Sequence, residues 1–313
     1  MKNRNLKDYT ILVLKGMGMG AADVVPGVSG GTIAFITEIY EELINSIKSI
    51  NLTSLKKIFS ENIPRFWNSI NGNFLASVFL GILISVFTLA GFLETWLREE
   101  PILVWSFFFG LILASAVYVA RKITTWDWKK VVALLLGIVA AYLITTLTPA
   151  KTSDAYWFVF ISGAIAICAM ILPGISGSFI LLLLGKYQFI LAAINDLNLV
   201  ILGIFAVGAL IGLISFSNLL SWLLRKFHDI TVATLAGFMI GSLFKVWPWK
   251  ETVSTFIDRH GETQPLVQKN VLPAQFEAVT GDDARLTFAI LIALAGIAII
   301  LGMEALTKSR KKV

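Results

Sequence analysis

Six stretches of this chain stay apolar for about the length a helix needs to cross a bilayer, and nothing else in the sequence restricts the fold so strongly. A hydrocarbon core about 30 Å thick takes roughly 20 residues of helix. The stretches are 74–97, 102–120, 130–148, 199–224, 230–247 and 286–303. With 57% hydrophobic and only 15% charged residues, the chain lies outside the composition of soluble domains, where about 25% of residues are charged. The same figures exclude a disordered chain and a disulfide-built module. One cysteine (Cys168) and two distant histidines (His228, His260) offer neither a disulfide framework nor metal-ligand spacing, so no metal site is expected. The basic start is followed by an apolar stretch broken by Lys15 and several glycines, with no small-residue cleavage site, so an uncleaved N-terminus is expected.

Two further apolar segments, 10–47 and 156–194, are interrupted. The first holds Gly16-Met17-Gly18-Met19-Gly20 and then Pro26-Gly27-Val28-Ser29-Gly30-Gly31-Thr32; the second holds Leu172-Pro173-Gly174-Ile175-Ser176-Gly177-Ser178. Proline removes a backbone donor and glycine removes rigidity, so both segments should break at membrane depth, with Pro26, Gly27, Pro173 and Gly174 as the breaking residues. The two are copies. A shift of 147 residues aligns Gly16 with Gly163, Pro26 with Pro173, Ser29 with Ser176 and Tyr40 with Tyr187. A shift of 127 then aligns Gly81 with Gly208, Arg98 with Arg225, Gly110 with Gly237 and Ser115 with Ser242. The chain therefore reads as a tandem duplication, 1–150 and 151–313, each half one broken segment followed by three spans. Gly/Pro-interrupted segments at corresponding positions of two halves point to a transporter binding site.

Loop charge decides whether the broken segments cross, because cytoplasmic loops collect Lys and Arg. If both are re-entrant hairpins and the N-terminus is inside, 17 Lys/Arg fall inside and 7 outside; if both cross, the tally is 11 against 13. The re-entrant arrangement is expected. Three crossings per half then give the halves opposite orientation, so the fold class is an all-α polytopic membrane protein with an inverted-topology repeat. Both termini are cytoplasmic, the two hairpin tips meet near the midplane, and 248–285 is an external loop. That loop carries ten charges of both signs, Asp258, Glu262, Asp282 and Asp283 among them, and its length suggests a small folded flap.

Each tip reads Pro-Gly-apolar-Ser-Gly-small and opens a short apolar helix. The first N–H groups of such a helix lack intrahelical partners and carry the positive end of its dipole. Gly30, Gly31 and Gly177 allow close approach to the backbone, while Ser29, Thr32, Ser176 and Ser178 add hydroxyls, a construction suited to phosphate. The plainer reading, close packing between helices, weakens once the motif is found twice in broken segments. Ionisable groups at the bilayer centre cost at least ~2.5 kcal/mol each. Asp23 has no counterpart in the second half, where Met170 stands, and two roles are open to it: carrying a coupling ion or capping a broken helix end. Glu38 is read first as interfacial, Lys15 as snorkelling to the cytoplasm, and Arg121 as a topology determinant with an anion-attracting role open. Lys186 has the matching place on the outer side. Tyr40, Tyr187 and the tryptophans at span ends, Trp105, Trp247 and Trp249 included, are expected as interfacial residues.

Together, Gly20–Thr32 (GAADVVPGVSGGT) and Leu172–Ser178 (LPGISGS), each running on to a tyrosine, resemble the PopT-type polyprenyl-phosphate transporters over essentially the whole chain. The resemblance implies a flippase of the bacterial or archaeal cytoplasmic membrane that returns undecaprenyl phosphate from the outer to the cytoplasmic leaflet for envelope polymer synthesis. The implied partners are the polyprenyl-phosphate lipid and the bilayer, with no nucleic acid and with a homo-oligomer left open. No cofactor is called for; coupling to a proton or sodium gradient is open. One alternative is an undecaprenyl-pyrophosphate phosphatase-like enzyme, whose loop is of the PGxSRSG type; here Gly30 and Gly177 stand where that loop places arginine, and the acids and histidine that phosphoryl transfer needs are missing from the tips. Another is a transporter of a small anion, which needs an aqueous path where a lipid needs a membrane-facing gap.

Overall fold

Asn5 starts the first helix by accepting from the Asp8 amide at 3.0 Å while the Asp8 carboxylate accepts from the Asn5 amide at 2.9 Å, a reciprocal cap. The structure is a computed structural model, and it describes residues 4–25, 27–51, 53–54, 56, 63–150, 152–257 and 263–310. Pro26 lies outside the described residues, as do Asp258, His260 and Glu262. From Asn5 run α1 (Leu6–Val24), α2 (Gly30–Ile36), α3 (Tyr40–Lys48) and, after the intervening segment, α4 (Ile63–Ser69). Three long helices follow: α5 (Gly72–Glu99), α6 (Pro101–Ala120) and α7 (Trp128–Thr146). The second half continues with α8 (Tyr156–Ile171), α9 (Gly177–Leu183), α10 (Tyr187–Asn195), α11 (Leu199–Lys226) and α12 (His228–Ser242). Strands β1 (Lys250–Ile257) and β2 (Thr263–Asn270), then α13 (Pro273–Thr280) and α14 (Leu286–Arg310), complete it.

Among the described residues five helices are long and apolar enough to cross a membrane: α5, α6, α7, α11 and α14. Phe87, Leu136, Leu199 and Phe288 are exposed on their outer faces, where hydrocarbon rather than water must be the solvent. The sixth expected span, 230–247, is shorter than its apolar run. Helix α12 ends at Ser242, after which tight turns bond Leu243 to Ile240 and Lys245 to Ser242 on the way to Pro248.

Both broken segments break twice. Beyond each tip the outgoing helix lasts only seven residues, then turns sharply; α9 and α10 are bent by 107°. Gly185 makes that second turn with φ +62° and Glu38 makes the equivalent one with φ +59°, a conformation unfavourable for a residue with a side chain. The simple two-arm hairpin expected from the sequence is thus replaced by a three-helix path.

The main helix pairs are α1 with α5, α8 with α11, α6 with α14 and α12 with α7. Glycines set how closely they approach. A Cβ on Gly81 would stand 2.1 Å from the Val13 carbonyl oxygen, and one on Gly208 2.1 Å from that of Phe160. The same holds for Gly110 against Ala293 and Gly237 against Leu134, at 2.0 and 2.2 Å. Small residues let helix backbones touch where lipid supplies no hydrophobic drive.

The expectation of an all-α chain is corrected in one place. Strands β1 and β2 pair as a two-stranded antiparallel sheet, Lys250 opposite Asn270, followed by α13. This flap has its own small core, in which Trp249, 6% exposed, packs with Ile102, Val271, Ala284 and Ala289. Trp249 donates to the Ala284 carbonyl at 2.9 Å and Trp247 to that of Val271 at 2.8 Å. These two tryptophans hold the flap down rather than serving as lipid anchors, because each indole N–H has an internal acceptor.

Candidate functional site

The C-terminal end of α8 leaves backbone carbonyls without intrahelical partners, and the other half of the chain supplies their donors. Ser29 Oγ donates to the Met170 carbonyl at 3.1 Å, and Tyr40 Oη donates to that of Ile171 at 3.2 Å. In return the Gly174 amide donates to Thr32 Oγ1 at 3.1 Å. A Cβ on Gly31 would lie 2.5 Å from the Ile171 oxygen, so only glycine permits this approach. Ser29, Gly31, Thr32 and Gly174, picked out from two motifs 147 residues apart, therefore form one contact. Tyr40, expected at the interface, is instead 2% exposed and part of that contact. Its equivalence to Tyr187 concealed this, since a position shared by both halves need not do the same work in each.

Both tips turn on a glycine at φ +89°, Gly27 in the first and Gly174 in the second. Each is then capped by its serine: Ser29 Oγ accepts from the Gly31 amide at 3.0 Å and Ser176 Oγ from the Phe179 amide at 3.4 Å. One difference separates them. Asp23 Oδ1 accepts from the Gly30 amide at 2.8 Å, so the first tip already holds a carboxylate at its helix start. In the second tip Met170 replaces that acid, and among the described residues the amides of Gly177 and Ser178 have no acceptor. The hydroxyls of Ser176 and Ser178 lie 2.7 Å apart beside them. The second tip thus gathers donors with no protein acceptor among the described residues, whereas at the first tip Asp23 and Ser29 accept from the Gly30 and Gly31 amides.

The remaining charged candidates have partners elsewhere. Glu38 accepts from Tyr118 Oη at 2.9 Å and from Lys122 Nζ at 3.2 Å. Arg121, largely exposed, pairs with Glu304 at 3.7 Å. Lys186 is 1% exposed, bonds Asp154 and the Thr152 carbonyl, and lies over the Phe158 and Phe189 rings. Lys15, partly exposed, donates to the Thr37 carbonyl at 2.7 Å, at the C-terminal end of α2. No described contact joins Arg121 or Lys186 to a tip residue.

Near the second tip, α12 packs its Met239–Ser242 face on Gly174. On the other side of the same segment, Ile240, Leu243, Phe244 and Trp247 line a cavity of about 480 Å³ with Phe109, Ile138 and Leu272; Asn270 and Gln275 bring amides to it.

A family model described as VCA0040-like, undecaprenyl phosphate translocase-like, matches residues 19–264, which include both tips and most of the spans. The chain belongs to this family. It is 49% identical over 297 residues to a polyprenyl-phosphate transporter of Vibrio cholerae, covering 95% of this chain and 96% of that one. It is 34% identical over 256 residues to a polyprenyl-phosphate transporter of Staphylococcus aureus, covering 76% and 86%. No solved structure matches the chain. A multi-pass membrane protein of a bacterial transporter family is thus described by the spans and the relatives together.

Proposed function

We propose that this chain transports polyprenyl phosphate, undecaprenyl phosphate above all, from the outer to the cytoplasmic leaflet. What carries the reading is one juxtaposition: two interrupted helices touch through Ser29–Met170 and Thr32–Gly174 in a chain whose near-full-length relatives are named transporters of that lipid. Irregular backbone at membrane depth is tolerated only where protein buries it or a cavity needs it. Phosphoryl transfer is not the reading, since both named relatives are transporters.

The two halves are read as an inverted repeat with cytoplasmic termini. In support, glycines related by the shift of 127 close equivalent helix pairs: Gly81 packs α5 on α1 as Gly208 packs α11 on α8, and Gly110 packs α6 on α14 as Gly237 packs α12 on α7. Of the two tips, the second takes the phosphate before the first, with the Gly177 and Ser178 amides and the Ser176 and Ser178 hydroxyls as donors. Gly30, Gly31, Ser29 and Thr32 form the facing wall, and Pro26, Gly27, Pro173 and Gly174 are the hinges. Polar donors there replace the headgroup's hydration, without which the core is prohibitive to a phosphate. The isoprenoid tail stays in hydrocarbon, and the apolar cavity beside α12 is read as a place for its first units, a feature of no use to a small anion. Glu38, Arg121 and Lys186 are left as supporting charges.

The test is leaflet-resolved transport of labelled polyprenyl phosphate in proteoliposomes, with and without a proton or sodium gradient. Uptake of small anions with no lipid movement would reject the reading. Asp23 is proposed to couple transport to protons. Asp23→Asn keeps an acceptor for the Gly30 amide while removing the charge, so it should leave the fold intact and flatten the pH profile of transport. An unchanged profile takes Asp23 out of the coupling and leaves it a cap.

A further inference from the structure

The segment after α12 carries two lysines that the transport scheme does not use. Lys245 follows Met239 and Ser242 at intervals of three, so it continues the face that packs on the tips. Its stem covers the first tip: a Cβ on Gly27 would stand 2.7 Å from Lys245 Cγ. Its ammonium reaches the second, 4.5 Å from the centre of the Phe179 ring, one residue beyond Ser178. The side chain thus spans both breaks.

Lys250, the first residue of β1, is 9% exposed, with its Nζ 3.7 Å from the centre of the Trp105 ring. That ammonium is fully enclosed, and among the described residues it has no hydrogen-bond partner. Burial, and then the charge of Lys245, hold Lys250 well below its ordinary pKa range. Neither lysine has a carboxylate within ion-pairing distance among the described residues, although Lys122, Lys130 and Lys186 each have one. Keeping the proton on an enclosed, unpaired amine is costly, the more so beside a second ammonium. Such an arrangement is retained where an anion supplies the missing charge. The Phe179 and Trp105 rings offset part of that cost.

We propose that Lys245 and Lys250 form a cationic seat for a phosphate monoester, which meets Lys245 first and is passed from there to the donors of the second tip. The proposal rests on the transporter reading and adds to it the charges that recognise the headgroup. In this arrangement the Lys245 ammonium and the open amides of Gly177 and Ser178 address the same dianion.

The test uses the full-length protein, with Lys245→Met, Lys250→Met, the double variant and Lys245→Arg. Binding of a short-chain prenyl phosphate, the corresponding prenyl alcohol and inorganic phosphate is measured in detergent, alongside melting temperature and lipid transport in vesicles. Each methionine should weaken prenyl-phosphate binding by about tenfold or more, as loss of a charged hydrogen bond does. Alcohol binding should not change, Lys245→Arg should retain most of the phosphate affinity, and melting temperature should hold or rise because an unpaired buried charge has gone. Unchanged prenyl-phosphate affinity in the double variant overturns the seat. So does a loss shared equally by the alcohol and accompanied by a lower melting temperature, which marks a packing role. Inorganic phosphate binding as tightly as the prenyl ester overturns the lipid assignment. A wild type that moves no polyprenyl phosphate sinks the transporter reading, while the binding arms still decide the lysines; a double variant as fast as an active wild type sinks the lysines alone.

Discussion

Alanine at both Ser29 and Ser176 will reduce translocation of polyprenyl phosphate in reconstituted vesicles below detection while the protein still inserts and folds. The two single variants should not be alike. Ser29 Oγ is already occupied, accepting from Gly31 and donating to the Met170 carbonyl. Its removal deletes a helix cap, worth about 0.5–2 kcal/mol, and leaves a carbonyl at the tip contact unmatched, at about 1–3 kcal/mol. Ser29→Ala should therefore show mainly as a lower melting temperature and a loosened contact between the halves. Ser176 Oγ faces Ser178 and caps through a long 3.4 Å bond, so less stability depends on it. Its loss removes a donor beside the two unmatched amides, and Ser176→Ala should show mainly as slower transport at nearly unchanged melting temperature. Threonine at either position restores the hydroxyl and should restore the corresponding property. Translocation unchanged in the double variant would reject the tips as the binding site.

Much of the architecture could be read from residue order because membrane spans are set by composition over long windows, which no tertiary contact overrides. The broken segments were visible for a related reason: Pro-Gly-x-Ser-Gly in the middle of an apolar run has few structural uses, and here it occurs twice. What stayed hidden depended on side-chain direction. Capping is one of the two roles the sequence leaves open to Asp23, but that its carboxylate meets the Gly30 amide, seven residues on, depends on the fold of the break. Tyr40 reads as an interfacial aromatic until its hydroxyl is seen on Ile171. Lys245 sits inside the apolar run 230–247, where one lysine barely changes a hydropathy window, and Lys250 lies at the start of the charged loop 248–285. The flap's two strands were missed because residues 250–270 are charged and only weakly alternating, so their pairing depends on Trp247 and Trp249 anchoring them from outside.

Gly174→Val will be the most damaging single substitution at the tips, and its comparison with Gly27 isolates the cause. Both glycines hold φ +89°, so any side chain at either position meets the same backbone strain, roughly 1–2 kcal/mol. Their surroundings differ. A Cβ at Gly174 would stand 2.7 Å from Ser242 Oγ and 3.1 Å from both Met239 Cα and the Phe238 oxygen, so the α12 backbone itself must move. Overpacking of that kind adds about 1–3 kcal/mol for a small group and more for a branched one. Gly174→Ala should lower the melting temperature clearly, and Gly174→Val should leave little folded protein. Adding Ser242→Ala should recover only part of the loss, because two of the three obstructing atoms are backbone. At Gly27 the obstructing atoms all belong to the Lys245 stem, which can swing aside. Gly27→Ala should therefore keep the fold at the cost of strain alone, and displace the ammonium that bridges the two tips. A Gly27→Ala protein that melts near the wild type yet binds prenyl phosphate more weakly would tie the backbone break to the lysine above it; equal damage at both glycines would mean that strain, and not the packing of α12 against the second tip, controls this region.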